Sequence, residues 1–241
     1  MNFFDIQCFE KKDIIFLSPH FDDVAFSCGG LIRKIKNICN RIIIVNVFTK
    51  SIWAPYMEIT QKSEDLVSKI RYNEDLSYCN SLNIENIRLG FIDSSLRGYD
   101  DVTELLAEVN NDYIYFSVKY AILDILKSLC VHYVFCPSGI GNHIDHVIVF
   151  EAIKEFENIE KIFYEDMPYA CSFTSDQNSV FVFNKTKYQN EFYIDITETF
   201  DQMLNDIKAY SSQIGEEIYN KLVYSLIRYS YDDRKYIRFW K

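Results

Sequence analysis

Apolar residues along the chain fall into short runs that alternate with longer, periodically spaced stripes. Residues 13–18, 42–48, 87–92, 132–136 and 161–164 are runs rich in β-branched and aromatic side chains, the composition of strands. The second run, Ile42-Ile-Ile-Val-Asn-Val-Phe48, is nearly unbroken, as expected of a strand buried on both faces of a parallel sheet. Helical spacing runs to about residue 37, over 60–82, through 102–129 and over 143–157. The 60–82 helix shows one broad stripe of Leu66, Val67, Ile70, Leu76 and Cys79. Asn110-Asn-Asp112 splits the 102–129 region into two helices. Gly29 and Gly30 interrupt the first helix at a cost of about 1 kcal/mol each, which predicts a close approach of that helix to the sheet. Strand–helix alternation predicts a Rossmann-like α/β fold, a mostly parallel sheet with helices on both faces. The tail reads differently. Residues 180–183 and 191–196 suggest a C-terminal strand pair joined by a polar turn, followed by helices near 198–214 and 216–230. No repeat or linker interrupts the pattern, and residues 1–241 are expected to form a single domain.

Composition narrows the function classes. Of 241 residues, 49% are hydrophobic and 25% charged, as in globular proteins. A net charge of −10 argues against nucleic acid or an anionic membrane as the main partner. No apolar run approaches the ~18 residues of a membrane span, and the first residues lack the pattern of a signal peptide. Seven cysteines, an odd number without CxxC spacing, read as small buried hydrophobes in a reducing compartment. A cytoplasmic location is expected. The oligomeric state is not legible.

Two clusters carry candidate chemistry. The first strand stops at Pro19 and is followed by His20, Asp22 and Asp23. Open α/β sheets bind ligands at the carboxyl ends of their strands. His143-Ile-Asp-His146 stands in a matching context after the fourth strand, and these clusters hold three of the four histidines. A catalytic zinc takes three protein ligands and leaves a position for water. His20, Asp23 and His146 can supply such a set, with Asp22 beside it as a base. Each aspartate, taken singly, is as well explained as a helix cap.

Ser18-Pro-His-Phe-Asp-Asp23, followed by Ser27-Cys-Gly-Gly-Leu31, resembles the signature of the PIG-L/LmbE-like zinc-dependent de-N-acetylases. Gly139-Ile-Gly-Asn-His-Ile-Asp-His146 is similar to the second motif of that family. Weaker matches at Arg71-Tyr-Asn-Glu74, Leu89-Gly-Phe-Ile-Asp93, Tyr164-Glu-Asp-Met-Pro-Tyr-Ala170 and Lys208-Ala-Tyr-Ser-Ser-Gln213 spread the resemblance over nearly the whole chain. It implies hydrolysis of an N-acetyl group from an amino-sugar moiety of a glycoconjugate or metabolite, with one Zn2+ per chain. By the same resemblance His20, Asp23 and His146 are metal ligands and Asp22 is the general base. His143 stabilises the oxyanion or protonates the leaving amine, Asp145 orients His143 and favours its charged form, and Arg71 and Asp93 contact substrate. The chain departs from the family pattern at Phe21, Val24 and Ile144, where proline, glutamate and proline are common.

Two other readings remain open at this level. One is a metallohydrolase that cleaves an ester or another amide. The other is a carbohydrate-binding protein without turnover. Arg71 is equally an exposed helix ion pair with Glu74 or Asp75. Glu165 and Asp166 can line the mouth of the site, and Trp53 is the candidate for a wall.

Overall fold

A computed structural model describes residues 2–58, 62–154, 156–157, 159–186 and 190–241. The expected start of the 60–82 helix, residue 155 of the 143–157 helix and residues 187–189 of the polar turn before 191 lie outside the described residues.

The chain runs through β1 (Asp13–Ser18), α1 (Asp23–Ile35), β2 (Arg41–Lys50), α2 (Glu64–Leu82), β3 (Glu85–Ile92), α3 (Thr103–Leu106), α4 (Tyr115–Leu129), β4 (Tyr133–Pro137), α5 (Ile144–Lys154) and β5 (Glu160–Tyr164). There follow α6 (Ser175–Thr186), β6 (Glu191–Asp195), α7 (Phe200–Asp206), α8 (Glu216–Ile227) and β7 (Tyr236–Trp240). Seven strands form one sheet in the order β3-β2-β1-β4-β5-β7-β6. The first five are parallel; β7 runs antiparallel to both β5 and β6.

This order explains where chemistry can occur. The chain adds β2 and β3 on one side of β1, then returns to add β4 and β5 on the other. A crevice therefore opens between the carboxyl ends of β1 and β4, the switch point of the sheet. His20, Asp22 and Asp23 leave β1 there, and the loop after β4 carries His143 to the same place. β1 is buried along its length beyond Asp13, as its unbroken apolar run demands.

Four expectations are corrected. Residues 180–183 are not a strand but the middle of helix α6. A short apolar run does not distinguish strand from helix, and here Val180 and Phe183 are exposed. The real antiparallel partner of residues 191–195 is β7, in the same sheet, and it was not anticipated. The glycine pair in α1 approaches the C-terminal region rather than the sheet. A Cβ on Gly30 would stand 3.0 Å from Ile196, and one on Gly29 would stand 3.3 Å from Met203 of α7. The buried face of α2 is also rotated from the predicted stripe: Val67, Arg71, Asp75, Tyr78, Cys79 and Leu82 face inward, whereas Leu66 is exposed. Two ionisable side chains, one turn apart, thus enter the interior from this helix.

Candidate active site

The β1–α1 turn leaves Asp22 free of helix capping. The Ser18 hydroxyl accepts the Val24 amide at 3.2 Å, which satisfies an orphan donor of the α1 N-terminus. Asp22 stands at the helix N-cap position without making a side-chain cap bond. The capping explanation for Asp22 is therefore replaced by another: its Oδ1 accepts from the Arg71 guanidinium at 3.0 Å. Asp23 accepts the His20 amide through Oδ2 at 2.7 Å, which closes the turn.

The second cluster is built by the loop after β4. Asp166, just beyond β5, accepts the amides of Ser138 and Ile140 at 3.0 and 3.1 Å on one oxygen. Its other oxygen lies 2.7 Å from His146 Nδ1. Asp166 is fully buried, so it does not line the mouth; it holds a loop and an imidazole. Glu165 is likewise turned inward, 2.7 Å from the Arg238 guanidinium. Gly141, at φ +89°, lets Tyr169 close over the loop, since a Cβ there would stand 2.7 Å from Tyr169 Cβ. The Tyr169 ring packs against both His143 and His146.

These elements bring His20, Asp23 and His146 together, with donor atoms all within 4.8 Å of one another. His20 Nδ1 and His146 Nε2 each lie 3.3 Å from Asp23 Oδ2. The opposite nitrogens are already engaged. His20 Nε2 is 2.9 Å from Asp145 Oδ2, and His146 Nδ1 faces Asp166. Carboxylates behind ligating histidines fix the tautomer that leaves the other nitrogen free for a metal. His146 Nε2 is buried and has no hydrogen-bond partner, the state expected of a nitrogen that a cation satisfies. The electrostatics agree. Burial works against charge on both imidazoles, yet Asp145 and Asp23 hold His20 up at about 10, and Asp23 with Asp166 holds His146 up at about 9. Burial alone would raise Asp23, but the two imidazoles keep it well below the usual carboxylate range. Such a site draws positive charge, and one divalent ion can take the place of these protons. His20, His143 and Asp145 also approach within 4.8 Å of one another. That set fits an ion less well, because Asp145 is committed to Arg97 at 2.6 Å and to the Ser94 amide at 2.9 Å.

Asp145 departs from expectation. Its carboxylate holds His20 and Arg97, not His143. What His143 receives from Asp145 is the backbone amide, donated to Nδ1 at 3.2 Å. The carboxylate facing His143 belongs to Glu104, with Oε2 3.2 Å from Nε2. Sequence reading missed both Glu104 and Arg97. Neither sits in a motif, and only the fold joins the segment after β3 to the start of α5.

Above the cluster lies a cleft of about 610 Å3, bordered by Asp22, His143, Trp53, Tyr169, Asp93 and Glu104 among others. Trp53, half exposed, forms one wall as expected. Arg71 is 4% exposed, so the exposed ion pair with Glu74 or Asp75 is replaced by a buried one with Asp22. Asp93 lines the same cleft, 3.8 Å from Arg71.

Comparison with known proteins identifies the family. Residues 15–157, more than half of the chain, match the PIG-L family model, described as GlcNAc-PI de-N-acetylase. The chain belongs to the PIG-L family. A 2'-N-acetylparomamine deacetylase from Streptomyces fradiae is 31% identical to it over 211 residues, covering 84% of this chain and 74% of that protein. Among solved structures, a deacetylase of teicoplanin biosynthesis superposes with TM-score 0.74 at 19% identity, covering 95% of this chain and 96% of the other. A zinc-inhibited form of a teicoplanin deacetylase gives TM-score 0.73 at 19% identity, covering 95% and 97%. Identities this low establish a shared PIG-L-type fold. The fold also accommodates other chemistry: a 4-carboxy-2-hydroxymuconate hydratase superposes with TM-score 0.62 at 14% identity, covering 94% and 95%.

Proposed function

We propose that this PIG-L family member is a zinc-dependent hydrolase that removes an N-acetyl group from an amino-sugar moiety. The observation that carries the reading is the convergence of His20 Nδ1, Asp23 Oδ2 and His146 Nε2 beneath a cleft in which Asp22 stands free of any capping role. These three residues would hold one Zn2+ per chain. A zinc ion bound there supplies Lewis acidity toward an acyl oxygen and lowers the pKa of water to about 7.

The chain's own groups account for the rest. Asp22 uses one oxygen to bind Arg71, which fixes its direction; the other is available to take a proton from the attacking water. The water oxygen bonds to the acetyl carbon, the C–N bond breaks, and that proton leaves with the amine. His143, also on the cleft, stabilises charge on the acyl oxygen or donates to the departing nitrogen. Arg71 and Asp93 border the sugar pocket as proposed substrate contacts, and Asp145 orients His20 with its carboxylate and meets His143 only through its backbone amide. The mouth is acidic. Asp100, Asp101 and Glu104 line it, and Arg71 is the one Lys or Arg side chain among the described lining residues. That lining favours a neutral or amine-bearing acetamido sugar over a phosphorylated one.

We further propose that residues 1–241 work as one catalytic domain. The seven cysteines, all free thiols, suit the reducing cytoplasm, and among the described residues no helix is long and apolar enough to cross a membrane. The test is acetate and primary-amine release across a panel of N-acetyl sugars and acetyl esters, together with metal analysis. Amine release with one bound zinc supports the reading. Ester cleavage alone favours another metallohydrolase, and sugar binding without turnover favours a binding protein.

A further inference from the structure

His143 is held from both sides by groups that differ in kind. It precedes α5, and its Nδ1 accepts the Asp145 amide at 3.2 Å, as a capping side chain does. An Nδ1 that accepts carries no proton, so the ring proton of the neutral imidazole belongs on Nε2. Across the cleft, Glu104 of α3 places Oε2 3.2 Å from Nε2. The Ser94 hydroxyl donates to the same oxygen at 2.9 Å and fixes its position. Burial alone would raise the Glu104 carboxyl, but His143 and Ser94 hold it below its ordinary range. Glu104 also lines the cleft, whereas Asp145 turns its carboxylate away toward Arg97.

We infer that Glu104 is the positioning residue for His143, fixing the Nε2-protonated tautomer with that N–H turned toward the substrate cleft. The cap bond acts on Nδ1 and Glu104 on Nε2, so the ring neither flips nor shares its proton between the two nitrogens. Glu104 acts through His143 and takes no part in bond making. A substrate group that enters beside His143 meets an imidazole of fixed tautomer and orientation, whose Nε2–H faces the Glu104 carboxylate at the cleft. The consequence for rate rests on the deacetylase reading; the consequence for the tautomer does not.

Two measurements on the full chain test this. In the first, metal-free protein with 15N-labelled histidine is compared as wild type, Glu104→Ala and Glu104→Gln, with a His143→Asn variant to assign the signals. Wild type is expected to show a pyridine-like shift at Nδ1 and a pyrrole-like shift at Nε2 of His143. Glu104→Ala is expected to average the two tautomers, and Glu104→Gln, which keeps an acceptor oxygen, to restore the wild-type pattern. Unchanged shifts in Glu104→Ala overturn the inference, because the cap bond would then suffice. In the second, the zinc-loaded variants are assayed on whichever acetamido sugar the wild type turns over. Glu104→Ala should lower kcat roughly 10- to 100-fold, the usual effect of losing such a partner, with KM nearly unchanged. Glu104→Gln should recover most of the loss. A rise in KM at constant kcat would make Glu104 a wall of the sugar pocket instead and would also overturn the inference. If the wild type proves inactive on every compound, the deacetylase reading fails while the tautomer measurement still decides the role of Glu104.

Discussion

Single residues divide the work at the cleft floor by what lies behind them. Asp23 is flanked by two imidazoles, while Asp22, its neighbour, is turned by Arg71 toward the cleft. Asp166 illustrates how a side chain outside both motifs controls one inside. It braces the loop before α5 and holds His146 Nδ1 at 2.7 Å. Asp166→Asn would set an amide against that nitrogen and should weaken zinc binding roughly 10- to 100-fold. Competition with a chelator measures this; affinity within twofold of wild type would show that Asp166 does not hold the ligand. Gly141 offers a second test. Alanine there would collide with Tyr169 and sit at φ +89°, a combination worth about 1–3 kcal/mol. Thermal unfolding should show the loss.

At the scale of elements, α2 is the unusual one, because its inner face carries Arg71 and Asp75. Asp75 is completely buried and accepts from Asn46 at 2.9 Å and Tyr210 at 3.0 Å, tying α2 to β2 and to the C-terminal region. Burial pushes its carboxyl up to about 7, although Tyr210, Asn86 and Asn46 oppose the rise. The folded protein therefore holds a proton on Asp75 that the unfolded chain releases near pH 4. Its contribution to stability is complete below about pH 4 and is lost as pH rises to about 7. Asp75→Asn should flatten the dependence of the melting temperature on pH across that window. An identical slope in the variant would contradict the assignment.

The same helix shows what was legible in the sequence. Its existence followed from apolar spacing, but its rotation did not, because Arg71 and Asp75 count as outward residues until partners from other elements are known. The parallel core strands were readable, since burial on both faces writes itself as unbroken apolar runs. β7 was not. Arg238 interrupts Tyr236–Trp240, and its burial is compensated by Glu165, which lies 73 residues away. Val180 and Phe183 misled for the opposite reason, being apolar side chains on the exposed face of α6. The proposed ligand set was legible because its three members sit in two compact motifs. Glu104 and Arg97 were hidden, because their partners are His143, just before α5, and Asp145 in its first turn.

For the whole molecule, one arrangement unites these parts. Reversal of the strand order at β1 and β4 opens a crevice, and the two motifs close on it from either side. Charge follows the same plan: a chain of net charge −10 gathers carboxylates around a floor suited to a divalent cation and at the rim of the cleft. In the proposed mechanism Asp22 drives amide hydrolysis above a zinc that His20, Asp23 and His146 would hold. Asp22 is not a ligand in this account, so Asp22→Asn separates binding from chemistry. The most direct measurement is amine release from an acetamido sugar by zinc-loaded wild type and Asp22→Asn, each with its metal content determined. Equal zinc and a fall in kcat of roughly 100-fold or more are expected in the variant. An Asp22→Asn protein that keeps both its zinc and its rate would contradict the proposed mechanism.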